Sequence, residues 1–264
     1  MIRDEVKLAF VEKIKCARCG TEYSMEQKLC MCSKKDGGRL DIYYDYKALA
    51  ENVNRENLAK RPLSVWKYFE FLPVVDKKNI VTLITGGTPL IKASRLAEKI
   101  GLKKVFLKDE TRNPTGSFKD RSMTVGVSKA VEFGVQATVT ASSGNAAAAL
   151  AAHSAKAGLK CYAFVLESAP EMKLAQIRLY GAKVIRVKAV EEGRDPTVHM
   201  LLMVVEKYGW YPCPSFGPFN PYQVEGPKTI TYELVEQLNW QTPDWVMVPT
   251  GSGMAPVQCL APGP

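Results

Sequence analysis

The sequence predicts a mostly parallel, right-handed α/β fold. Three observations carry that expectation. Short apolar runs at 104–107, 137–141, 161–166, 184–187 and 245–248 read as buried strands. Helical patterns fill the intervals, at 117–133, 146–157, 171–180, 197–208 and 224–238. Gly134, Gly158, Gly181 and Gly209 each follow such a pattern, where a left-handed residue ends a helix. Strand and helix in alternation, joined by short spacers, give parallel strands with right-handed crossovers.

The 264 residues suffice for one large or two modest domains with a real core. An apolar fraction of 46% and a charged fraction of 24% describe an ordinary globular protein. The chain has no apolar run of about eighteen residues, and its start, MIRDEVKLAFVEKIK, lacks the apolar core of a signal peptide. A cytoplasmic protein with no membrane partner is expected. The formal charge of +9 comes from scattered lysines without a basic run or interleaved aromatics, so no nucleic-acid partner is expected. Seven cysteines, an odd number, argue against a disulfide framework and for reduced thiols or a metal site.

Residues 1–46 form the first unit. Cys16 and Cys19 are two residues apart, and Cys30 and Cys32 follow after ten intervening residues. Two cysteine pairs closing a short loop suit a tetrahedral thiolate site, so zinc on Cys16, Cys19, Cys30 and Cys32 is one reading. A ribbon that keeps its shape without metal is the other, because a single spacer separates Cys30 from Cys32. The alternation at 39–46 predicts a strand that closes the ribbon.

Residues 47–80 read as a polar helical connector, with a short amphipathic stretch opening at Pro62 and stopped by Pro73. Trp66, Tyr68 and Phe69 are expected to pack. Residues 81–264 carry the alternating α/β pattern. His153 and His199, the two histidines, lie on predicted helices and are read as core or surface residues, which leaves no triad or histidine metal site.

In such folds ligands sit at the carboxyl ends of strands, and that rule selects three loops. The first, 113–121, turns on Pro114 and Gly116. It offers Ser117 as helix N-cap and Asp120 to reach back to the cap's N–H, which sets Lys119 on the first turn. The positive end of the helix disfavours an ammonium, so Lys119 is expected to be a nucleophilic amine able to capture an aldehyde. The second, Ser142-Ser143-Gly144-Asn145, opens an alanine-rich helix whose N–H groups suit a carboxylate. The third, Thr250 to Met254, contains Gly251-Ser252-Gly253, able to cradle a phosphate. An aldehyde-capturing amine, a carboxylate site and a phosphate cradle are what pyridoxal phosphate acting on an amino acid needs. No P-loop and no dinucleotide fingerprint is present.

The segments GGTPL, LKDETRNPTGSFKDR, SSGN, APEMKLAQIRLYGAKVI and NPYQVEGPKT, in this order, resemble the threonine synthase branch of the fold-type-II pyridoxal-phosphate enzymes. The resemblance extends to the cysteine region and to RPLSVWKYFEFLPV. It implies two doubly wound α/β domains behind a zinc-ribbon-like segment, a homodimer, and a small amino-acid substrate. By resemblance, Lys119 carries the cofactor and later moves protons at the substrate carbons. Phe118 resembles the residue beside the cofactor ring, and Asn145 the asparagine on its phenolic oxygen. Ser142, Ser143 and Gly144 match the substrate-carboxylate loop, and Gly251, Ser252, Gly253 and Met254 the cofactor-phosphate loop.

The family activity implied is conversion of O-phosphohomoserine and water to threonine and phosphate. Two departures stand beside it. Threonine synthases commonly carry an Asn-Ser-x-Asn-Pro-x-Arg run facing the substrate phosphate, and here Gln223 takes the arginine position. Cysteate synthase, serine/threonine deaminase chemistry and a non-catalytic relic are the alternatives that this leaves. The family also continues for about another hundred residues past the glycine loop, so a C-terminally truncated member with an unfinished cofactor cradle is expected.

Overall fold

The computed structural model describes residues 9–188, 195–216 and 218–249. The first element is an antiparallel sheet of β1 (Val11–Cys16), β2 (Glu22–Tyr23) and β3 (Leu40–Tyr44), in the order β2-β1-β3. Ile14, Leu40 and Ile42 alternate to one face and are buried there. Two short helices follow, α1 (Tyr46–Asn52) and α2 (Arg55–Ala59), capped by the side chains of Asp45 and Asn54. A 3-10 stretch, Val65–Phe71, then buries Tyr68 and lets Trp66 donate to Thr124 Oγ1 at 3.0 Å. Both are packing roles, as expected.

The centre of the molecule is a parallel four-stranded sheet. It contains β6 (Ala137–Ala141), β7 (Lys160–Leu166), β8 (Lys183–Val187) and β9 (Tyr211–Pro212), preceded in the chain by β4 (Leu90–Lys92) and β5 (Phe106–Lys108), which pair elsewhere. The order is β8-β7-β6-β9. Helices α4 (Lys119–Glu132), α5 (Asn145–Lys156), α6 (Glu171–Leu179) and α7 (Pro196–Tyr208) connect them, after a short α3 (Ser94–Lys99).

The period of two along the strands assigns the layers. Cys161, Ala163 and Val165 of β7 share a core with α5 and α6, while Phe164 packs with Leu201 and Val204 of α7. On β6, Thr138 turns to α5, with its Oγ1 2.7 Å from Ser154 Oγ, and Val139 turns to α7. Helices therefore cover both faces, the doubly wound arrangement. The small side chains of α5 admit α4 closely, and the whole run from Asp120 to Ala130 is buried.

Three elements differ from expectation. The run at 104–107 is not part of the parallel sheet: β5 pairs antiparallel with β4, leaving Phe106 and Leu107 40% and 48% exposed. Apolar composition marked a strand without telling which neighbour takes its hydrogen bonds. The run at 245–248 forms no strand, with Trp245 and Met247 85% and 87% exposed, since pairing with another strand is what fixes extended backbone. The helix expected at 224–238 is split: α8 (Pro221–Val224) gives way to a 3-10 turn at Gly226–Lys228, and α9 runs Thr229–Gln237. Pro227 supplies no N–H for an α-helical bond across that turn.

Candidate active site

Lys119 opens α4 and is half-buried. Its cap differs in detail from expectation. Phe118 is the N-cap residue, and Ser117 Oγ accepts from the Lys119 N–H at 3.3 Å. Asp120 reaches further back than the cap, its Oδ2 accepting from the N–H and the hydroxyl of Thr115, both at 2.9 Å. The carboxylate thereby folds the Thr115–Ser117 turn under the helix instead of closing a capping box. Gly116 completes the turn at φ +81°, where a Cβ would be strained, and donates to Asn113 O at 2.9 Å. Gln176 of α6 donates to Thr115 O at 3.2 Å.

The loop is held from beneath by a buried charge network. Arg121, with no exposed surface, donates to Glu110 through Nε (2.7 Å) and Nη2 (2.8 Å), and to Glu233 through Nη1 (2.7 Å) and Nη2 (2.9 Å). Lys108 adds a 2.6 Å bond to Glu233, and the Gly87 N–H another at 2.9 Å. Asn113 ties the loop to the Gly86 N–H at 3.0 Å. Segments far apart in sequence converge on the first turn of α4.

The Lys119 amine lies 4.3 Å from the centre of the Phe118 ring, and among the described residues it has no ion-pair partner. Burial without a compensating carboxylate lowers its pKa below that of an ordinary lysine. Desolvation acts in the same direction as the positive end of the helix.

The loop at 142–145 follows β6 and leads directly into α5. Gly144 has extended backbone, no side chain caps the helix, and Ser142 Oγ accepts from the Gly144 N–H at 3.2 Å. Asn145 is the first helical residue and is exposed. The first turn of α4 meets the last turn of α5 where Asp120 and His153 lie 3.7 Å apart. The third loop, Gly251, Ser252, Gly253 and Met254, lies outside the described residues. Gln223 is wholly buried, donating to Pro214 O, so it sits in the packing beneath α4.

Of the cysteines singled out, Cys16, Cys19 and Cys32 come together and Cys30 does not. Their sulfurs and a carboxylate oxygen of Asp36 all lie within 4.8 Å of one another. Cys30 is instead half-buried against the core, where desolvation pushes its thiol pKa up to about 12, and its carbonyl accepts from the Asn220 N–H at 2.8 Å. A fourfold cysteine set is therefore corrected to three cysteines and Asp36. With Met31 as sole spacer, the chain cannot turn both sulfurs of the second pair inward. The sequence signal for Asp36 is the Asp36-Gly37-Gly38 turn, four residues after Cys32.

A family model described as pyridoxal-phosphate dependent enzyme matches residues 81–257. The chain belongs to the pyridoxal-phosphate-dependent enzymes. It is 44% identical over 239 residues to threonine synthase of Methanocaldococcus jannaschii, covering 90% of this chain and 57% of that one. Threonine synthase of Methanosarcina acetivorans is 42% identical over 240 residues, with 90% and 56% covered. The chain thus spans little more than half the length of these relatives. Diaminopropionate ammonia lyase of Escherichia coli shares the fold at a TM-score of 0.60 and 18% identity, covering 69% of this chain and 57% of that one. The fold is that of fold-type-II enzymes of this family.

The residues present fit the family's cofactor. An aldehyde requires a lysine amine that is accessible and not held by a carboxylate, and Lys119 is one. The uncapped start of α5 leaves N–H groups for an anion on the adjoining loop.

Proposed function

We propose that this chain acts as a lyase of threonine synthase type, with O-phosphohomoserine and water as substrates and threonine and phosphate as products. The 44% identity over nine-tenths of the chain supports the substrate, and Lys119, desolvated and without an ion-pair partner among the described residues, supports the chemistry. Lys119 would carry pyridoxal phosphate, with Phe118 beside the ring and Asn145 on its phenolic oxygen. Ser142, Ser143 and Gly144 would hold the substrate carboxylate, and Gly251, Ser252, Gly253 and Met254 the cofactor phosphate.

The cofactor supplies an electron sink for the substrate's α-carbon. Lys119, as a neutral amine, is suited to take up the α-proton and to return it. In the net reaction the γ C–O bond breaks and phosphate leaves with the bonding pair. The γ-carbon gains a proton, the β-carbon loses one and accepts the hydroxyl of water, and the second water proton goes to phosphate. Asp120 and the Arg121 network hold the Lys119 turn in place during these transfers.

A homodimer in the cytoplasm completes the reading. Free thiols at all the described cysteines support a reducing compartment. The half-exposed apolar residues Ile91, Phe106 and Leu107 on β4 and β5 support a partner face. No described helix is long and apolar enough to cross a membrane.

The test is a visible-absorbance titration of the purified chain with pyridoxal phosphate, followed by borohydride and peptide mass analysis. Attachment at Lys119, lost in Lys119→Ala, is expected. Phosphate release from O-phosphohomoserine should exceed that from phosphoserine. Release from phosphoserine alone would replace the threonine synthase reading with cysteate synthase chemistry.

A further inference from the structure

We propose that Cys16, Cys19, Cys32 and Asp36 form a structural zinc site, with Asp36 as its fourth ligand. The site stands apart from Lys119 and does not depend on the function proposed above.

The distances already approximate a coordination polyhedron. Tetrahedral zinc, with bonds of about 2.3 Å to sulfur and 2.0 Å to oxygen, sets two sulfurs about 3.8 Å apart and sulfur and oxygen about 3.5 Å apart. Here Cys19 Sγ lies 3.6 Å from Cys32 Sγ, and Cys16 Sγ lies 3.5 Å from Asp36 Oδ2. Without a cation, thiolates and a carboxylate at such distances repel one another. Neutral thiols gain little from the arrangement, since sulfur is a weak donor and acceptor.

The backbone is built for it at both ends. At the first knuckle Gly20 turns at φ +73°, and its N–H bonds Cys16 O at 3.0 Å. At the second, Lys35 and Gly37 adopt positive φ and the Lys35 N–H bonds Cys32 O at 3.0 Å. The Gly38 N–H fixes Asp36 Oδ1 at 2.9 Å, which leaves Oδ2 toward the sulfurs. A Cβ on Gly38 would come within 2.4 Å of Cys16 Sγ, so only glycine lets the second knuckle close on the first. Tyr23 OH, 3.2 Å from Cys32 Sγ, is placed to donate to a thiolate there.

The site would tether the ribbon to the α/β body. The loop between its two halves carries the Gln27 carbonyl, which accepts from Tyr222 OH at 2.8 Å, and the Cys30 carbonyl bonded by Asn220. Zinc closes that loop at its base.

The experiment is metal analysis of the full chain purified with thiol reductant and zinc sulfate, then exhaustively dialysed, with cobalt(II) as spectroscopic probe. One zinc per chain is expected, and cobalt should give the intense visible bands of a tetrahedral thiolate site. Cys32→Ser and Asp36→Ala should weaken zinc binding by about tenfold or more, while Cys30→Ser keeps its zinc. Asp36→Cys, which restores a four-sulfur set, should bind cobalt with stronger charge-transfer absorption, so that loss in the other variants is not mistaken for misfolding. A metal-free wild-type chain would overturn the proposal. So would zinc lost with Cys30→Ser but kept with Asp36→Ala, or a Cys19–Cys32 disulfide in place of metal.

Discussion

Asp120 Oδ1 lies 3.7 Å from His153 Nδ1 in the fully buried seam between α4 and α5, and among the described residues it has no hydrogen-bond partner. The reason is on the histidine. Ala149 O, which can only accept, lies 2.9 Å from Nδ1, so Nδ1 carries the proton and spends it there. Nε2, 3.1 Å away, then accepts from Thr85 Oγ1. The imidazole is neutral, and burial pushes its pKa down to about 4.

That neutrality predicts an acid-sensitive fold. The folded pKa lies below the unfolded value of 6.5, so between about pH 6.5 and 4 the unfolded chain binds the extra proton and stability falls with pH. The loss from this group approaches about 3 kcal/mol. Burial raises the Asp120 pKa, so protonation of that carboxyl stabilises the fold as pH falls and offsets part of the loss. Urea denaturation of wild type and His153→Gln at pH 7, 6 and 5 checks this: the wild type should lose stability steadily, and the variant should show a flatter profile. Parallel slopes would contradict it.

The buried Arg121 should tolerate no replacement. Its guanidinium binds two carboxylates and also donates to Thr229 and Thr88, so Arg121→Met strands Glu110 and Glu233 inside the protein. A cost of about 3–5 kcal/mol is expected from the denaturation midpoint. Arg121→Lys, without the planar fork, should recover only a minor part.

Gly226 packs directly against the backbone of α4. A Cβ there would lie 1.9 Å from Arg121 O, with backbone on every near contact. Gly226→Ala should therefore destabilise by about 3 kcal/mol or more and cut the soluble yield, although Gly226 touches no side chain of the site. The control is Gly134→Ala, where the space for a Cβ is open. Its left-handed φ of +63° costs only about 1 kcal/mol.

These contacts show what was legible in the sequence. The strand at 137–141 and the glycines at 134, 158, 181 and 209 could be read because one local rule, a short buried run or a left-handed stop, decides them. The 142–145 loop does follow a strand of the parallel sheet, β6, whereas the Lys119 loop follows β5, which lies outside that sheet. Arg121, Glu110 and Glu233 were not recognised as a network, because their partners are up to 112 residues apart. Asp36 escaped for a related reason: only the fold chooses between Cys30 and a carboxylate six positions later. The β4–β5 pair was misassigned because pairing partners are a tertiary choice.

Lys119 itself gives the last prediction. Its amine is desolvated and, among the described residues, has no carboxylate to stabilise the ammonium, so its pKa lies below the ordinary 10.5. The neutral amine is the form that captures an aldehyde, so borohydride-trapped pyridoxal phosphate at Lys119 should reach half its maximum at a pH below 10.5, lower than for an exposed lysine such as Lys78. Phe118→Glu tests the cause, because it sets a carboxylate where the ring now sits 4.3 Å from the amine. The trapping midpoint should then rise by about one pH unit or more. Lys119→Arg should abolish trapping at every pH while leaving the far-ultraviolet circular dichroism unchanged. A midpoint indifferent to Phe118→Glu would show that desolvation is not what sets the reactivity of this amine.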